Sequence, residues 1–179
     1  MTFSPQPITA KNGQQVQVRF LTPDDGDLLV HLVMRLSRET RYRRFHISMD
    51  DLPMDEILQR LPPFLDVDGI DSVALVALID GPQGEHAIAV SRFRRQPGAA
   101  EAEAAVVVRD DWHRLGVGSQ LMRQLVNAAL ALGITRFTAM IQAGNRGVHD
   151  MIRNLDIDYV SHIEHGEDYL VMNLKGSAS

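Results

Sequence analysis

The chain has 179 residues, 45% hydrophobic and 23% charged, the balance of one globular domain rather than of a disordered or fibrous chain. Eighteen lysines and arginines against 23 acidic residues leave a net charge of −5, which excludes the overall positive field that draws proteins to nucleic acid or an anionic membrane. The lack of cysteine excludes disulfides and thiolate chemistry, and no stretch has the ~18 apolar residues of a membrane span or the order of a secretion signal, so a cytoplasmic location is expected.

In chain order, residues 1–14 read as a flexible lead-in, 15–174 as a single domain and 175–179 as a frayed tail. Gln15 to Leu21 alternates polar and apolar residues at period two, the pattern of a half-buried strand. Thr22-Pro23-Asp24-Asp25 then offers a hydroxyl cap, a proline at the first helical position and an acidic first turn. With Leu28, Leu29, Leu32, Val33 and Leu36 forming one apolar face, it predicts a helix. A shorter helix is expected from about Pro53 to Leu61, ended by Pro62-Pro63. Ser72 to Ile79 and Ala87 to Arg94, separated by Asp80-Gly81-Pro82-Gln83-Gly84, read as a β-hairpin, and Glu101 to Arg109 as a further strand. Val117 to Leu132 has helical spacing at Leu121, Leu125, Ala128, Ala129 and Leu132. Arg136 to Gln142 reads as a strand, Asn145 to Asn154 as a short helix, and Ile157 to Ile163 with Tyr169 to Leu174 as a closing antiparallel pair. This order predicts a mixed α/β sheet with one β-α-β crossover in its second half.

The segment from Val106-Val107-Val108 through Trp112-His113-Arg114-Leu115-Gly116-Val117-Gly118-Ser119 runs from a strand through a glycine-bearing turn into a helix. Glycines at 116 and 118 let a ligand approach the main chain, and the first amides of the helix point outward with the positive end of its dipole behind them. Such a turn suits phosphate. It is not the dinucleotide fingerprint, because Leu121 stands where a third glycine belongs, and no Gly-Lys-Ser/Thr makes a Walker loop. Taken by itself, so short a motif is more often a chain reversal that needs glycines for geometry alone.

The segment resembles motif A of the GNAT superfamily of N-acetyltransferases, with His113 in the Gln/Arg place, then Gly116 and Gly118. Arg19 to Phe45, with Leu36-Ser37-Arg38-Glu39-Thr40-Arg41-Tyr42-Arg43-Arg44-Phe45 inside it, resembles the start of the acetyltransferase domain of bacterial protein lysine acetyltransferases. Ala143-Gly144-Asn145-Arg146-Gly147 resembles motif B, so the similarity covers about residues 16–174. It implies a GNAT fold: a mixed, mostly antiparallel central sheet, split in a V between the motif A strand and the following strand, flanked by about four helices. With no room for regulatory or synthetase-like domains, a stand-alone catalytic module is expected.

The resemblance further implies acetyl-CoA as co-substrate and coenzyme A as product. The pyrophosphate would lie on the amides from Leu115 through Gly116, Val117 and Gly118 to Ser119. The pantetheine arm would pair along Ala105 to Val108, with the thioester beside Val106 and Val107, one of whose N–H groups would hold the oxyanion. Arg114 and Arg123 are candidate phosphate contacts, and Asn145 either bonds the cofactor or caps its helix. Glu101 and Glu103 share a strand face with Ala105 and Val107. Glu103 stands at the place of the family's general base, with Glu101 as the alternative. Three residues, about 10 Å at ~3.3 Å each, separate Glu103 from Val106, so a bridging water would carry the proton. The tyrosine that many members use as general acid is replaced by Ile152, which leaves the acid unassigned.

The reaction implied is acetyl transfer to a primary amine by direct attack in a ternary complex, without a metal. A lysine on a partner protein is the acceptor the resemblance suggests. A small-molecule acceptor, or a non-catalytic acyl-CoA sensor, is the alternative. Five arginines, Arg35, Arg38, Arg41, Arg43 and Arg44, fall within ten residues, but the acidic whole argues against a nucleic-acid patch, and the resemblance implies that Arg41, Tyr42 and Phe45 are packing and loop-ordering residues of the family's helical segment, which borders the acceptor cleft. His162 and His165 point to opposite faces of one strand and lack further ligands, so no metal site is expected.

Overall fold

In the computed structural model, residues 3–45, 56, 59–82 and 84–175 are described. The strands are β1 (Ile8–Thr9), β2 (Gln15–Phe20), β3 (Ser72–Gly81), β4 (Gly84–Arg94), β5 (Glu101–Val108), β6 (Arg136–Gln142), β7 (Asp158–Glu164) and β8 (Glu167–Asn173). They form one sheet in the order β1-β2-β3-β4-β5-β6-β8-β7. Every neighbouring pair is antiparallel except β5 with β6. Helices α1 (Gly26–Met34), α2 (Arg38–Phe45) and the short α3 (Pro62–Leu65) precede β3. Helix α4 (Val117–Ala131) carries the crossover from β5 to β6, and α5 (Arg146–Asn154) follows β6. No helix among the described residues is long and apolar enough to cross a membrane.

Two layers of helix explain why β3 reads as an unbroken apolar run: Ser72 to Leu78 are buried on both faces. On one face Leu75, Ala77, Ile88 and Phe93 pack with Leu121 and Leu125 of α4. On the other, Val76, Leu78 and Val90 pack with Leu29, Leu32 and Val33 of α1.

Three expectations are corrected. The folded body begins before residue 15: Ile8 and Ala10 are 1% and 3% exposed, and β1 pairs with β2 through Ile8↔Val16 and Thr9↔Gln15. Helix α1 starts at Gly26 rather than at Pro23, and neither Thr22 nor Asp25 caps it through a side chain. The Asp25 carboxylate instead accepts both terminal nitrogens of Arg19 at 2.7 Å and the Thr22 N–H and hydroxyl at 2.7 and 3.0 Å. Pro62 and Pro63 open the first turn of α3, where proline's missing N–H costs nothing. Of the helix expected over 53–61, residues 53–55, 57 and 58 lie outside the described residues, as do 176–179 of the expected tail.

The feature that shapes the molecule is where β5 and β6 part. They pair only at Glu101↔Arg136, Ala102↔Phe137 and Glu103↔Thr138. Beyond that rung β5 stays with β4 as far as Val108↔Ala89, while β6 stays with β8 as far as Gln142↔Glu167. Each strand is held by its other neighbour, so the two diverge and the sheet splits in a V.

The Arg19–Asp25 pair ties β2 to the start of α1. The hydrogen bonds from Arg19, aided by those from Thr22 against the cost of burial, lower the Asp25 carboxyl to about 2. A carboxyl depressed in the fold stabilises it fully above its unfolded value of about 3.9, and that contribution is lost as pH falls toward 2. Asp25→Asn should therefore lower unfolding free energy by about 1–2 kcal/mol at pH 7. The gap to wild type should close between about pH 4 and pH 2 in denaturant titrations. A constant gap across that range would show that the ion pair is not its source.

Candidate active site

The fork opens a cleft of about 760 Å³ whose walls include Ala104 to Val108 of β5, Ala139 to Ile141 of β6, and the starts of α4 and α5. The main chain of β5 is half committed. Arg109 N–H donates to Ile88 O at 2.8 Å, and in an antiparallel ladder such bonds recur every second residue, so Val107 and Ala105 also bond to β4. Val106 and Val108 then turn their main-chain groups toward the cleft. His113 Nε2 lies 2.8 Å from the Val108 carbonyl. It must donate there, since a carbonyl only accepts. Of the two oxyanion donors the sequence suggested, Val106 is therefore available and Val107 is not, although the Val107 side chain lines the cleft.

The turn into α4 has the form of an anion cradle, set by three constraints. Gly116 caps the helix in the left-handed region at φ 81°, which glycine adopts without cost. The first intrahelical bond runs from Gln120 N–H to Gly116 O, leaving the N–H groups of Val117, Gly118 and Ser119 without helical partners. A Cβ on Gly118 would stand 3.1 Å from Val108 Cγ2, so this glycine lets α4 pack closely on β5. His113, Arg114, Gly116, Gly118, Ser119 and Asn145 all line the cleft. Val117 is fully buried and Leu115 packs against the core, so these two of the expected contacts can offer only main-chain groups. Arg114 is a non-glycine residue at φ 61°, a conformation held at some cost.

Charge in the cleft is mostly positive: Lys11, Arg43, Arg44, Arg114 and Arg146 line it, with Asp150 as the carboxylate. Arg123 donates to Asn154 O at 3.3 Å and stands behind the lining residue Asn154 rather than on the cleft wall itself. Asn145 makes no side-chain cap for α5 and lines the cleft. Lys11, Arg43, Arg44 and Arg146 are cleft residues that the sequence does not mark as such, because neither a lone lysine nor a run of arginines shows which way it faces until the fold gathers them. Arg43 also pairs with Glu39 at 2.5 Å. Burial lowers Arg44 to about 10, with Arg92 adding to the effect and Glu103 opposing it. Helix α2 is fixed to the cradle by Asp110, whose carboxylate accepts Ser37 N–H at 2.7 Å, Ser37 Oγ–H at 2.6 Å and Thr40 Oγ1–H at 2.7 Å. Burial opposes the charge on Asp110, but these bonds prevail and hold it below the usual carboxylate range.

Glu101 and Glu103 are both exposed on the same face of β5. Glu101 lies 3.4 Å from Arg136, two residues back from the fork. Glu103 stands on the last rung before it, opposite Thr138 and Arg94. Both line a second hollow of about 540 Å³ with Thr138 and Asp68. Ile152 is 1% exposed, a core residue at the cleft floor.

The profile of the Acetyltransferase (GNAT) family matches residues 30–156. The chain belongs to the GNAT acetyltransferase family. This acetyltransferase is 29% identical to Acetyltransferase PA5475 of Pseudomonas aeruginosa over 144 residues, 78% of this chain and 73% of that protein. It is 30% identical to Acetyltransferase Pat of Mycolicibacterium smegmatis over 159 residues, 88% of this chain but 46% of Pat, so it spans about half the length of that relative. The GNAT domain of S. lividans PAT superposes with a TM-score of 0.80 at 27% identity, covering 94% of this chain and 96% of that one. The protein is thus an N-acetyltransferase with the mixed, split sheet of its family, and GNAT enzymes use acetyl-CoA. The cradle, the cations and the open β5 edge suit a ligand with a diphosphate at one end and amides along its arm.

At 100 times its dissociation constant, acetyl-CoA should add about 2.7 kcal/mol to native stability, visible as a higher melting temperature. Gly116→Asp should abolish this rise, whereas Gly116→Asn, which tolerates the left-handed conformation without adding charge, should keep part of it. An equal rise in wild type and Gly116→Asp would place the phosphates elsewhere.

Proposed function

We propose that this acetyltransferase transfers the acetyl group of acetyl-CoA to the side-chain amine of a lysine on a partner protein, by direct attack in a ternary complex with Glu103 as general base. The position of Glu103 carries the reading. It is exposed at the rung where β5 and β6 separate, at the boundary between the cradle-bearing cleft and the hollow on its own face. An amine entering through that hollow meets the carboxylate before it meets the thioester. A lysine arrives protonated at neutral pH, with a pKa near 10.4, and cannot attack until the proton leaves. Glu103 takes that proton through a water, because about 10 Å of strand lies between it and Val106. Val106 N–H faces the developing oxyanion. Thiolate, with a pKa near 8.5, leaves without a strong acid, so a buried isoleucine at 152 is compatible with turnover.

A protein acceptor is favoured over a small amine by the openness of this face. Met140 and Tyr169, cross-strand partners, are each 43% exposed, and Val160 is 67% exposed. They continue the face that bears Glu103 and Thr138, leaving a flat, partly apolar approach suited to a macromolecular surface.

Glu103→Gln should lower kcat by about 10²–10⁴ while acetyl-CoA still binds, and the deficit should shrink as pH rises and the amine deprotonates unaided. Thiol release measured against lysine-bearing proteins from pH 7 to 10 tests this. Wild-type turnover by Glu103→Gln at pH 7 would remove Glu103 from the role.

A further inference from the structure

The amino-terminal segment is not a loose leader but a strap laid along α4, and its course is set at three successive points. The Gln6 N–H donates to Gln124 Oε1 at 2.8 Å while Gln124 Nε2 donates to Gln6 O at 2.7 Å. One helical turn nearer the amino end of α4, Gln120 Nε2 donates to Thr9 O at 3.1 Å. Just before the helix begins, Lys11 N–H donates to Leu115 O at 2.9 Å. The strap thus runs antiparallel to the helix and delivers Lys11 to the cradle. A tight turn holds it there: Gly13 N–H bonds Ala10 O at 2.8 Å, Ala10 N–H bonds Gln14 O at 2.9 Å, and Gly13 takes φ 85° to close the reversal into β2.

The Lys11 side chain lies along the cradle glycine, with Cε and Cγ at 3.7 and 3.8 Å from where a Gly116 Cβ would stand. It lines the cleft with Arg114 and Ser119. Among the described residues, no carboxylate stands within ion-pair distance of its ammonium. The main-chain N–H performs the docking, so the side chain is spare, and it lies against Gly116, the residue just before the three N–H groups, Val117 to Ser119, that have no helical partner.

We propose that Lys11 is a phosphate-binding residue of the acetyl-CoA site, carried in by the strap to add a mobile point charge to a cradle of fixed amides. The two donor types divide the task. Main-chain N–H groups set where phosphate oxygens sit, and a flexible ammonium neutralises charge at whichever oxygens stay open. This inference rests on the acetyl-CoA reading of the cleft and goes beyond it in assigning a contact outside the matched family region.

The test compares wild type, Lys11→Gln and Lys11→Arg in binding titrations. Trp112, the sole tryptophan, lines the cleft and reports occupancy. The probes are acetyl-CoA, its 3′-dephospho form and S-acetylpantetheine, which has the thioester but no phosphodiester groups. Lys11→Gln should bind acetyl-CoA about five- to twentyfold more weakly, with a flatter salt dependence, while Lys11→Arg stays close to wild type. S-acetylpantetheine should bind both variants as it binds wild type. A loss that persists with the dephospho form assigns Lys11 to the diphosphate, and a loss that vanishes assigns it to the 3′-phosphate. Both outcomes support a phosphate contact. Equal acetyl-CoA affinity in wild type and Lys11→Gln overturns the proposal while leaving the cleft assignment standing, as does an equal loss with S-acetylpantetheine, which would show a merely structural effect. Failure of wild type itself to bind acetyl-CoA overturns the cleft assignment, and this inference with it.

Discussion

The parting of β5 from β6 after Glu103↔Thr138 is the constraint on which the site depends. A continuous ladder would have consumed the main-chain groups of Val106 and Val108 and left no room between Ala104–Val108 and Ala139–Ile141. The split persists because each strand is satisfied elsewhere, β5 by β4 and β6 by β8. An edge of unpaired N–H and C=O groups inside a molecule is ordinarily a liability. Here it is a short, sheltered strand edge to which an amide-bearing ligand can add.

The cleft is also mechanically joined to its surroundings. Asp110, two residues past the end of β5, grips Ser37 and Thr40 at the start of α2, so the glycine-bearing turn and the helix that carries Arg43 and Arg44 share one anchor. On the opposite flank, the strap docks on Leu115 and on the outer face of α4. Two segments remote in sequence, one at residue 11 and one at residues 37–44, thereby meet the same turn. This explains why cations that look scattered along the chain converge on a protein whose net charge is −5.

Much of this was legible in the sequence, and the rest failed for identifiable reasons. Period-two and helical spacing located β2, β5, α4 and β6 to within a residue or two because their burial is one-sided or continuous. The glycines of the turn were recognisable because left-handed geometry and close helix packing leave few alternatives. The strap was misjudged because β1 has two residues, too few for any period to show, and its order comes from glutamines on α4 more than a hundred residues away. The start of α1 moved because Asp25 is engaged by Arg19, a tertiary bond that competes with capping. The resemblance leaves Val106 and Val107 open as oxyanion donors, because sequence gives the side-chain face of a strand but not the direction of its N–H groups. That direction follows from the neighbour it pairs with, here through Arg109 and Ile88.

Amide hydrogen exchange, read residue by residue with and without acetyl-CoA, tests the central claim most directly, that the unpaired β5 edge and the α4 amides receive the cofactor. Val106, Val108 and the amides from Val117 to Ser119 should exchange quickly in the free protein and slow markedly on binding, whereas Ala105 and Val107, already bonded to β4, should be slow in both states. Slow exchange at Val106 in the free protein, or no added protection there at saturating acetyl-CoA, would contradict it.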